Sequence, residues 1–288
     1  MALLEVCVDC LESAINADKS GAARLELCSA LSLGGLTPSV GLLRAVKRQI
    51  KTRTFVMIRC REGDFVYDDD ELVVMRDDIA ALKESGADGF VLGVLNKDAT
   101  INKEACRMLL QAAHPLPCTF HRYSISISVV ASIEMARLSQ ESPHNDEESF
   151  LNQFRAFDET ADAMQSLEDV IQLGFQRILT SGQQATAVQG LGLIKQLQSG
   201  SAGRIIIMAG AGVTEENARR IVVESGVAEI HGSASYQRSL PTSGNTLNMG
   251  SQPEGRMRRV TCCQQVARIV ESIAGASAIQ WFVLLLLL

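Results

Sequence analysis

Two cysteines lie in short apolar segments near the start of this 288-residue chain. Cys7 belongs to the segment Leu3–Val8, and Cys28 ends the segment Arg24–Cys28. Soft thiolates are ligands that Cu(I) prefers, and Cu(I) needs few of them. We therefore predict that Cys7 and Cys28 bind Cu(I) if their segments are neighbouring strands. Inert packing of both thiols is the alternative.

Charged side chains accompany these thiols at strand-like positions. Alternation along the strands puts Arg24, Glu26 and Arg59 on polar faces, and His121 ends another apolar segment. Buried charges must pair or bind a ligand, so this pattern predicts a polar site unless the charges only form a structural network. In such a site Glu26 or His121 could act as a general acid or base, and Arg59 and Arg61 could hold a small anion, with Arg24 helping to shape the pocket.

A glycine-rich loop and a histidine follow the last two strand-like segments. Met208–Thr214 reads MAGAGVT, and His231 ends the segment after it. Barrels often bind phosphate there with backbone N–H groups, so Gly210, Gly212 and His231 are candidate binding residues, and Thr214 is a candidate N-cap. The alternative is that these glycines only form tight turns.

The elements that must position these residues alternate between strands and helices. Eight short apolar segments are mostly followed by amphipathic stretches, which predicts a parallel (β/α)8 TIM-type barrel of the α/β class. A doubly wound sheet is the competing architecture. The eight segments are Leu3–Val8, Arg24–Cys28, Thr54–Arg59, Gly89–Leu95, Cys118–His121, Arg177–Thr180, Arg204–Met208 and Ala228–His231.

Two stretches interrupt this alternation and set the predicted domain limits. Residues 1–235 are expected to form one barrel domain, with residues 123–155 inserted in the loop after strand five. Residues 236–288 are expected to hold a flexible segment (236–260), a last helix (Cys262–Ile273) and an apolar tail. The tail, Ile279–Leu288, is too short to cross a bilayer and is expected to pack or aggregate.

Composition excludes several classes of function. The net charge of -6 argues against a general nucleic-acid or anionic-membrane binder. The N-terminus has neither a basic region nor a long apolar stretch, so no signal peptide is expected. The eight cysteines are therefore expected to be thiols or metal ligands in the cytoplasm, with the nucleus also open.

Several motifs of the chain resemble the CutC copper homeostasis family. The matching stretches are Leu4–Asp9, Gly21–Ser39, Phe55–Phe65, Gly86–Leu95, Pro117–Arg122, Ala156–Asp158, Arg177–Gly182 and Ala209–Gly212. The resemblance implies a cytosolic, homo-oligomeric (β/α)8 barrel that handles copper, with Cu(I) binding and a pocket that looks enzymatic. The predicted function is a Cu(I)-binding barrel protein of copper homeostasis. The alternative is a barrel enzyme of lyase, isomerase or hydrolase type acting on a small anionic or phosphorylated substrate.

The chain also departs from the family pattern. The family run TFHRAFD is split, because 33 residues, Tyr123–Arg155, separate Arg122 from Ala156. If this insertion displaces Asp158, any role that Asp158 shares with His121 is lost. The glycine loop reads MAGAG in place of MPGGG, and Gly232 stands where a cysteine often follows the last histidine.

Overall fold

The computed structural model describes residues 2–121, 157–239 and 257–275. Its barrel strands are β1 (Leu3–Val8), β2 (Arg24–Leu27), β3 (Arg53–Met57), β4 (Gly89–Leu92), β5 (Cys118–Phe120), β6 (Arg177–Thr180), β7 (Ile206–Gly210) and β8 (Glu229–Gly232). Each strand pairs in parallel with the next, and β8 pairs with β1 to close the barrel. The predicted (β/α)8 barrel is confirmed, and the doubly wound alternative is wrong.

Helices connect the strands and cover the barrel. They are α1 (Leu11–Lys19), α2 (Val40–Gln49), α3 (Asp69–Glu84), α4 (Lys103–Ala113), α5 (Ala163–Leu173), α6 (Leu191–Ser201), α7 (Ala218–Ser225) and α8 (Cys263–Ala274). Local sequence sets several of their ends. The Asp68 side chain accepts from the Glu71 backbone N–H in a capping box that starts α3. Gly174 and Gly226 end α5 and α7 with positive φ, which glycine adopts without strain.

Strand alternation divides the barrel into an apolar layer and a polar axis. Val6 of β1, Leu25 of β2 and Ile178 of β6 are fully buried in the apolar core beneath the helices. Their neighbours along the same strands point the other way, into the barrel. Arg24 and Glu26 are buried there as well. The helical layer therefore confines the charged side chains of these strands to the axis.

The residues that are described before and after the proposed insertion lie next to each other. The Phe157 backbone N–H donates to the His121 carbonyl at 3.0 Å. Phe157 is fully buried and begins a short 3-10 segment, Phe157–Glu159. His121 and Phe157, the described residues on either side of the proposed insertion, are thus close together, and the insertion itself lies outside the described residues.

A two-stranded antiparallel hairpin follows the barrel. It pairs β9 (Ser235–Ser239) with β10 (Met257–Thr261) and packs against α1. Arg238 donates to both carboxylate oxygens of Glu12, at 2.7 and 2.8 Å. Residues 236–239 and 257–260 lie in these strands, and residues 240–256, where the rest of the expected flexible segment falls, lie outside the described residues. The predicted last helix is present as α8, and the apolar tail lies outside the described residues.

Among the helices in the described ranges, none combines the length and apolar character needed to span a membrane.

Candidate metal and ligand site

Three donor side chains from adjacent strands meet at the barrel axis. Cys7 of β1 is in register with Glu26 of β2, and His231 comes from β8 on the other side of β1. One ligand atom of each residue lies within 4.8 Å of the others. We call Cys7, Glu26 and His231 the axial cluster. Cys7 and Glu26 are buried, 12% of the His231 side chain is exposed, and the Glu26 Oε1 atom has no hydrogen-bond partner among the described residues.

Cys28 extends the cluster on its β2 side. Its Sγ lies 3.7 Å from Glu26 Oε2, at which the thiol can donate a hydrogen bond. The residue is fully buried beside Phe55 and Met57. A Cβ added at Gly35 would lie 3.1 Å from the Cys28 Sγ, so glycine at that position leaves room for the sulfur. Cys7 and Cys28, the predicted metal ligands, thus both lie on the inner face of the barrel.

A buried ion-pair network contacts the axial cluster through His231. Glu5 accepts from the Arg24 Nε, and its other oxygen lies 2.9 Å from the Nδ1 of His231. Arg24 also pairs with Glu229, which accepts from the Arg177 Nε at 2.9 Å. Arg24 is therefore paired within the protein, as expected if the buried charges form a structural network instead of binding a ligand. The network holds the imidazole so that its Nε2 is directed toward the cluster.

The charges of this network explain the pKa values of Glu5 and His231. Burial alone would raise the pKa of Glu5, but Arg24 and His231 outweigh it and lower the value to about 2. Burial opposes the imidazolium form of His231. The negative charges of Glu26, Cys7 and Glu5 overcome that effect and raise the pKa of His231 well above its ordinary value. Glu5 is thus an anion that accepts from a protonated Nδ1.

Burial dominates at the two groups on β2. It raises the pKa of Glu26 to about 7, partly offset by His231. Burial, with the nearby negative charges of Glu26 and Cys7, also raises the pKa of Cys28 well above its ordinary value. Without a bound cation, Cys28 is therefore a thiol at neutral pH. A cation in the cluster would favour the charged forms of both groups.

Arg59 and His121 both lie next to the ring of Phe65, away from the axial cluster's three donor side chains. The Arg59 guanidinium is 4.9 Å from the Phe65 ring centroid, and the His121 ring is 5.9 Å from it. Arg59 is fully buried and donates to the carbonyls of Leu33, Gly35 and Gly63, at 2.8 to 3.2 Å. Its guanidinium thus binds the chain's own loops, and the predicted anion contact stays a prediction.

Asp158 is buried after the return to the barrel and binds the loop that follows β6. Its carboxylate accepts from the hydroxyl of Thr180, from the backbone and hydroxyl of Ser181, and from the Gln183 backbone. The insertion therefore leaves Asp158 attached to the carboxyl end of the barrel. A catalytic role shared with His121 stays a prediction.

Arg61 lies at the rim of the barrel rather than at the axis. It pairs with Asp64 at 3.0 Å and with Glu71 at the start of α3, and its guanidinium covers the Tyr67 ring at 5.2 Å. About a third of its side chain is exposed. The Arg61 guanidinium is therefore bound to residues of the β3–α3 loop and the start of α3, and it helps to hold that loop in place.

A cavity of about 550 Å³ opens beside the axial cluster, between the loops after β7 and β8. We call it the β7–β8 cavity. Cys7 and His231 form its inner wall, and Arg259 of β10 and Gln265 of α8 line it farther out. The other lining residues are Ala185, Thr186, Ala211, Gly212, Val213, Thr214, Glu215, Glu216, Gly232, Ser233, Ala234, Ser235 and Ile269.

Close packing explains the glycine at the end of β7. A Cβ at Gly210 would lie 2.7 Å from the Leu179 side chain and 3.2 Å from the His231 Cβ. Glycine at this position therefore lets the inward side chains of β6 and β8 approach each other. Gly212 lines the cavity, where its φ of +61° permits the turn after β7.

The loop after β7 differs from the expected phosphate-binding turn. Helix α7 begins at Ala218, so Thr214 is not its N-cap. Instead the Asn217 side chain accepts from the Thr214 N–H at 2.8 Å and donates to the Gly212 carbonyl at 2.7 Å. One backbone donor of the loop is therefore already used. Glu215 and Glu216 add negative charge at the same edge, which disfavours a phosphate.

Sequence reasoning missed the two outer members of the network, Glu229 and Arg177. A signal was present, because Glu229 lies two residues before His231 and must share its face of β8. Arg177 likewise shares a face with Leu179 of β6. Their partners come from distant strands, so the alternation alone does not reveal the pairing.

Fold and site together define a parallel barrel protein whose axis carries thiols, a carboxylate and an imidazole. The CutC family model matches residues 2–140 and 145–236. The human "Copper homeostasis protein cutC homolog" is 44% identical over 253 residues, covering 88% of this chain and 80% of the human one. A CutC family protein of Pasteurella multocida is 41% identical over 253 residues, covering 87% and 90%.

A solved structure agrees with these matches. The putative copper homeostasis protein CutC of Streptococcus agalactiae superposes with a TM-score of 0.67 at 33% identity, covering 81% of this chain and 99% of that one. The chain therefore belongs to the CutC family.

Proposed function

We propose that this protein acts in copper homeostasis and binds Cu(I) as its cargo at the axial cluster. The observation that carries the proposal is the convergence of ligand atoms of Cys7, Glu26 and His231 within 4.8 Å. The names of its relatives, which are copper homeostasis proteins, support copper as the ion.

The donor set fits a soft monovalent ion. Cys7 and Cys28 supply sulfur, and the Nε2 of His231 supplies nitrogen, a combination that suits copper better than hard divalent cations. The Nδ1–Glu5 hydrogen bond of 2.9 Å keeps the other ring nitrogen for the metal. The Glu26 Oε1 atom, which no group in the described part of the chain contacts by a hydrogen bond, marks a buried position where a positive charge would be stabilised.

The roles of the four side chains follow from their contacts. Cys7 and Cys28 bind the ion as thiolates. Glu26, 3.7 Å from the Cys28 sulfur and with a pKa of about 7, passes the Cys28 thiol proton on to solvent as the metal enters, and the Cys7 thiol proton also leaves to solvent. His231 completes the site after losing its own proton to solvent. Binding therefore releases the protons of Cys7, Cys28 and His231 to solvent as Cu(I) enters the buried site.

The expected compartment is the cytoplasm. All eight cysteines are free thiols in the structure, which matches a reducing environment. Assembly as a homo-oligomer belongs to the same proposal, because the family resemblance implies it.

Competition with a chromophoric Cu(I) chelator tests the proposal. We expect one Cu(I) per chain, with Cys7→Ser and Cys28→Ser each weakening binding at least about a hundredfold. Cys106→Ser is the matched control, since Cys106 is equally buried but lies in α4, where its thiol contacts the Val94 carbonyl. Thermal unfolding shows whether each variant keeps its fold. Binding by folded Cys7→Ser and Cys28→Ser equal to that of Cys106→Ser would contradict the proposal.

One observation favours an enzyme as a second candidate. Glu26 has a pKa of about 7, next to a histidine that lines a cavity, and such a group can act as a general acid or base. A thermal-shift screen of small anionic and phosphorylated metabolites tests it, because a ligand of the folded state raises the melting temperature. A shift that Glu26→Gln abolishes would support the enzyme, and no shift across the panel would count against it.

A further inference from the structure

The side of the axial cluster that faces the β7–β8 cavity is open. Cys7 and His231 line both the cluster and the cavity, whereas Glu26 lines only the cluster. An ion held by Cys7 and His231 would therefore be covered by protein on the Glu26 side and reachable from the cavity. This geometry leaves a coordination position for a ligand that is not part of the chain.

The cavity is large enough for a small organic molecule rather than water alone. Its volume of about 550 Å³ falls within the range of about 300–1,000 Å³ that is typical of small-molecule sites. Hydroxyl side chains of Thr186, Ser233 and Ser235 contribute to the lining. The wall is thus mixed in polarity, which suits a hydrophilic ligand.

Positively and negatively charged side chains both line the cavity. The Arg259 guanidinium is positive and exposed, and it forms no ion pair with any carboxylate of the described residues. Glu216 is negative and exposed; its carboxylate accepts a hydrogen bond from the Thr214 side chain and is attracted by Arg268, which pairs directly with the neighbouring Glu215 at 3.0 Å. A simple anion would meet Glu216, and a simple cation would meet Arg259. A zwitterion satisfies both charges.

We infer that the β7–β8 cavity binds a small aminothiol with an α-carboxylate, whose sulfur coordinates the Cu(I) held by the axial cluster. The carboxylate pairs with Arg259, the ammonium with Glu216, and the sulfur takes the open position beside Cys7 and His231. The thiol releases its proton to solvent as it binds, and no electron is transferred. This inference rests on the proposed Cu(I) site and gives the ion a route in and out by ligand exchange.

The hairpin provides a matched pair of arginines to test the contact. Arg258 and Arg259 are adjacent in β10, both exposed. Arg258 lies opposite Arg238, and it contributes with that residue to lowering the pKa of Glu12. Only Arg259 lines the cavity. Alanine at either position removes the same charge from the same strand.

The experiment titrates the Cu(I)-loaded full-length chain with L-cysteine, following heat of binding and the mass of the complex under native conditions. We expect a protein–Cu(I)–cysteine complex in a 1:1:1 ratio. Arg259→Ala should weaken cysteine binding about tenfold, while Arg258→Ala leaves it unchanged. L-serine, cysteamine and N-acetylcysteine, which lack the thiol, the carboxylate and the ammonium respectively, should bind more weakly than L-cysteine.

Three results would overturn the inference: removal of copper by cysteine without a ternary complex, equal binding of L-cysteine and L-serine, or equal effects of the two arginine substitutions. Each leaves the Cu(I) proposal standing, because the loaded protein has already formed. Failure of the chain to bind Cu(I) alone would instead refute the proposed function.

Discussion

Glu5 and His231 join the first and last strands of the barrel through a 2.9 Å hydrogen bond at the axis. Glu5 is 1% exposed and also pairs with Arg24, so one buried carboxylate holds an imidazole and a guanidinium. Barrel closure and orientation of the candidate metal ligand therefore depend on the same side chain.

Replacing Glu5 by glutamine should destabilise the protein by about 3 kcal/mol at neutral pH, because the buried Arg24 and His231 lose an anionic partner. Urea unfolding measures the change. Glu12→Gln is the control, since it removes an exposed bidentate pair with Arg238 and should cost less than about 1 kcal/mol. Equal losses for the two variants would show that the axial pair adds nothing beyond a surface pair.

The stabilisation that Glu5 provides should decrease at acidic pH. The pKa of Glu5 falls from its ordinary 4.5 to about 2 on folding, so its stabilisation is complete above pH 4.5. It is lost as the pH drops from 4.5 toward 2. The difference in unfolding free energy between the wild type and Glu5→Gln should therefore shrink over that interval. A difference independent of pH would contradict the assignment.

Copper affinity should rise with pH around neutrality. His231 and Cys28 have pKa values above their ordinary ranges, so both are protonated there and must lose a proton to bind the ion. For each proton released, the affinity is expected to increase about tenfold per pH unit. Chelator competition at several pH values, from about 6 to 8, measures the slope. A flat profile would mean that neither residue is a ligand.

Replacing Arg59 should lower the stability of the fold and leave copper binding unchanged. Arg59 uses two nitrogens, Nη1 for the carbonyls of Leu33 and Gly35 and Nη2 for that of Gly63, whereas lysine has only one donor nitrogen; Arg59→Lys should therefore cost about 2–3 kcal/mol. Arg76→Lys, at an exposed position paired with Asp77, is the control and should be nearly neutral. Copper stoichiometry should not change in either variant. A stable Arg59→Lys protein that lost binding of a metabolite would favour the enzyme instead.

Deleting Tyr123–Arg155 should leave the barrel folded. The deletion joins Arg122 to Ala156, and the bond from the Phe157 N–H to the His121 carbonyl becomes that of a four-residue turn. Closing this turn should stabilise the barrel by up to about 2 kcal/mol relative to the long connection. Thermal unfolding checks the expectation. Loss of the cooperative transition would show that the segment contributes to the native core.

Strand alternation was sufficient to predict the barrel and part of its axis. Cys7 and Glu26 lie well inside extended strands, where side chains must alternate, and the structure brings them together. The same alternation predicted the polar inner face for Arg59. However, β3 ends at Met57, and side chains need not alternate beyond the end of a strand. Its true partners are loop carbonyls that local sequence does not identify.

The partners of His231 were harder to predict for a different reason. The histidine was recognised at a strand end, but its contacts with Glu5 and Glu26 depend on β8 pairing with β1 across the closure of the barrel. Strand order and register are properties of the whole chain. Alternation within one strand predicts which face a side chain occupies and leaves its neighbours undetermined.

X-ray absorption at the copper K edge of the Cu(I)-loaded protein identifies the atoms that hold the ion. We expect sulfur scatterers from Cys7 and Cys28 together with an imidazole from His231, and loss of the imidazole signal in His231→Gln. A spectrum with only oxygen and nitrogen ligands, or an imidazole signal that persists in that variant, would contradict a copper site at the barrel axis.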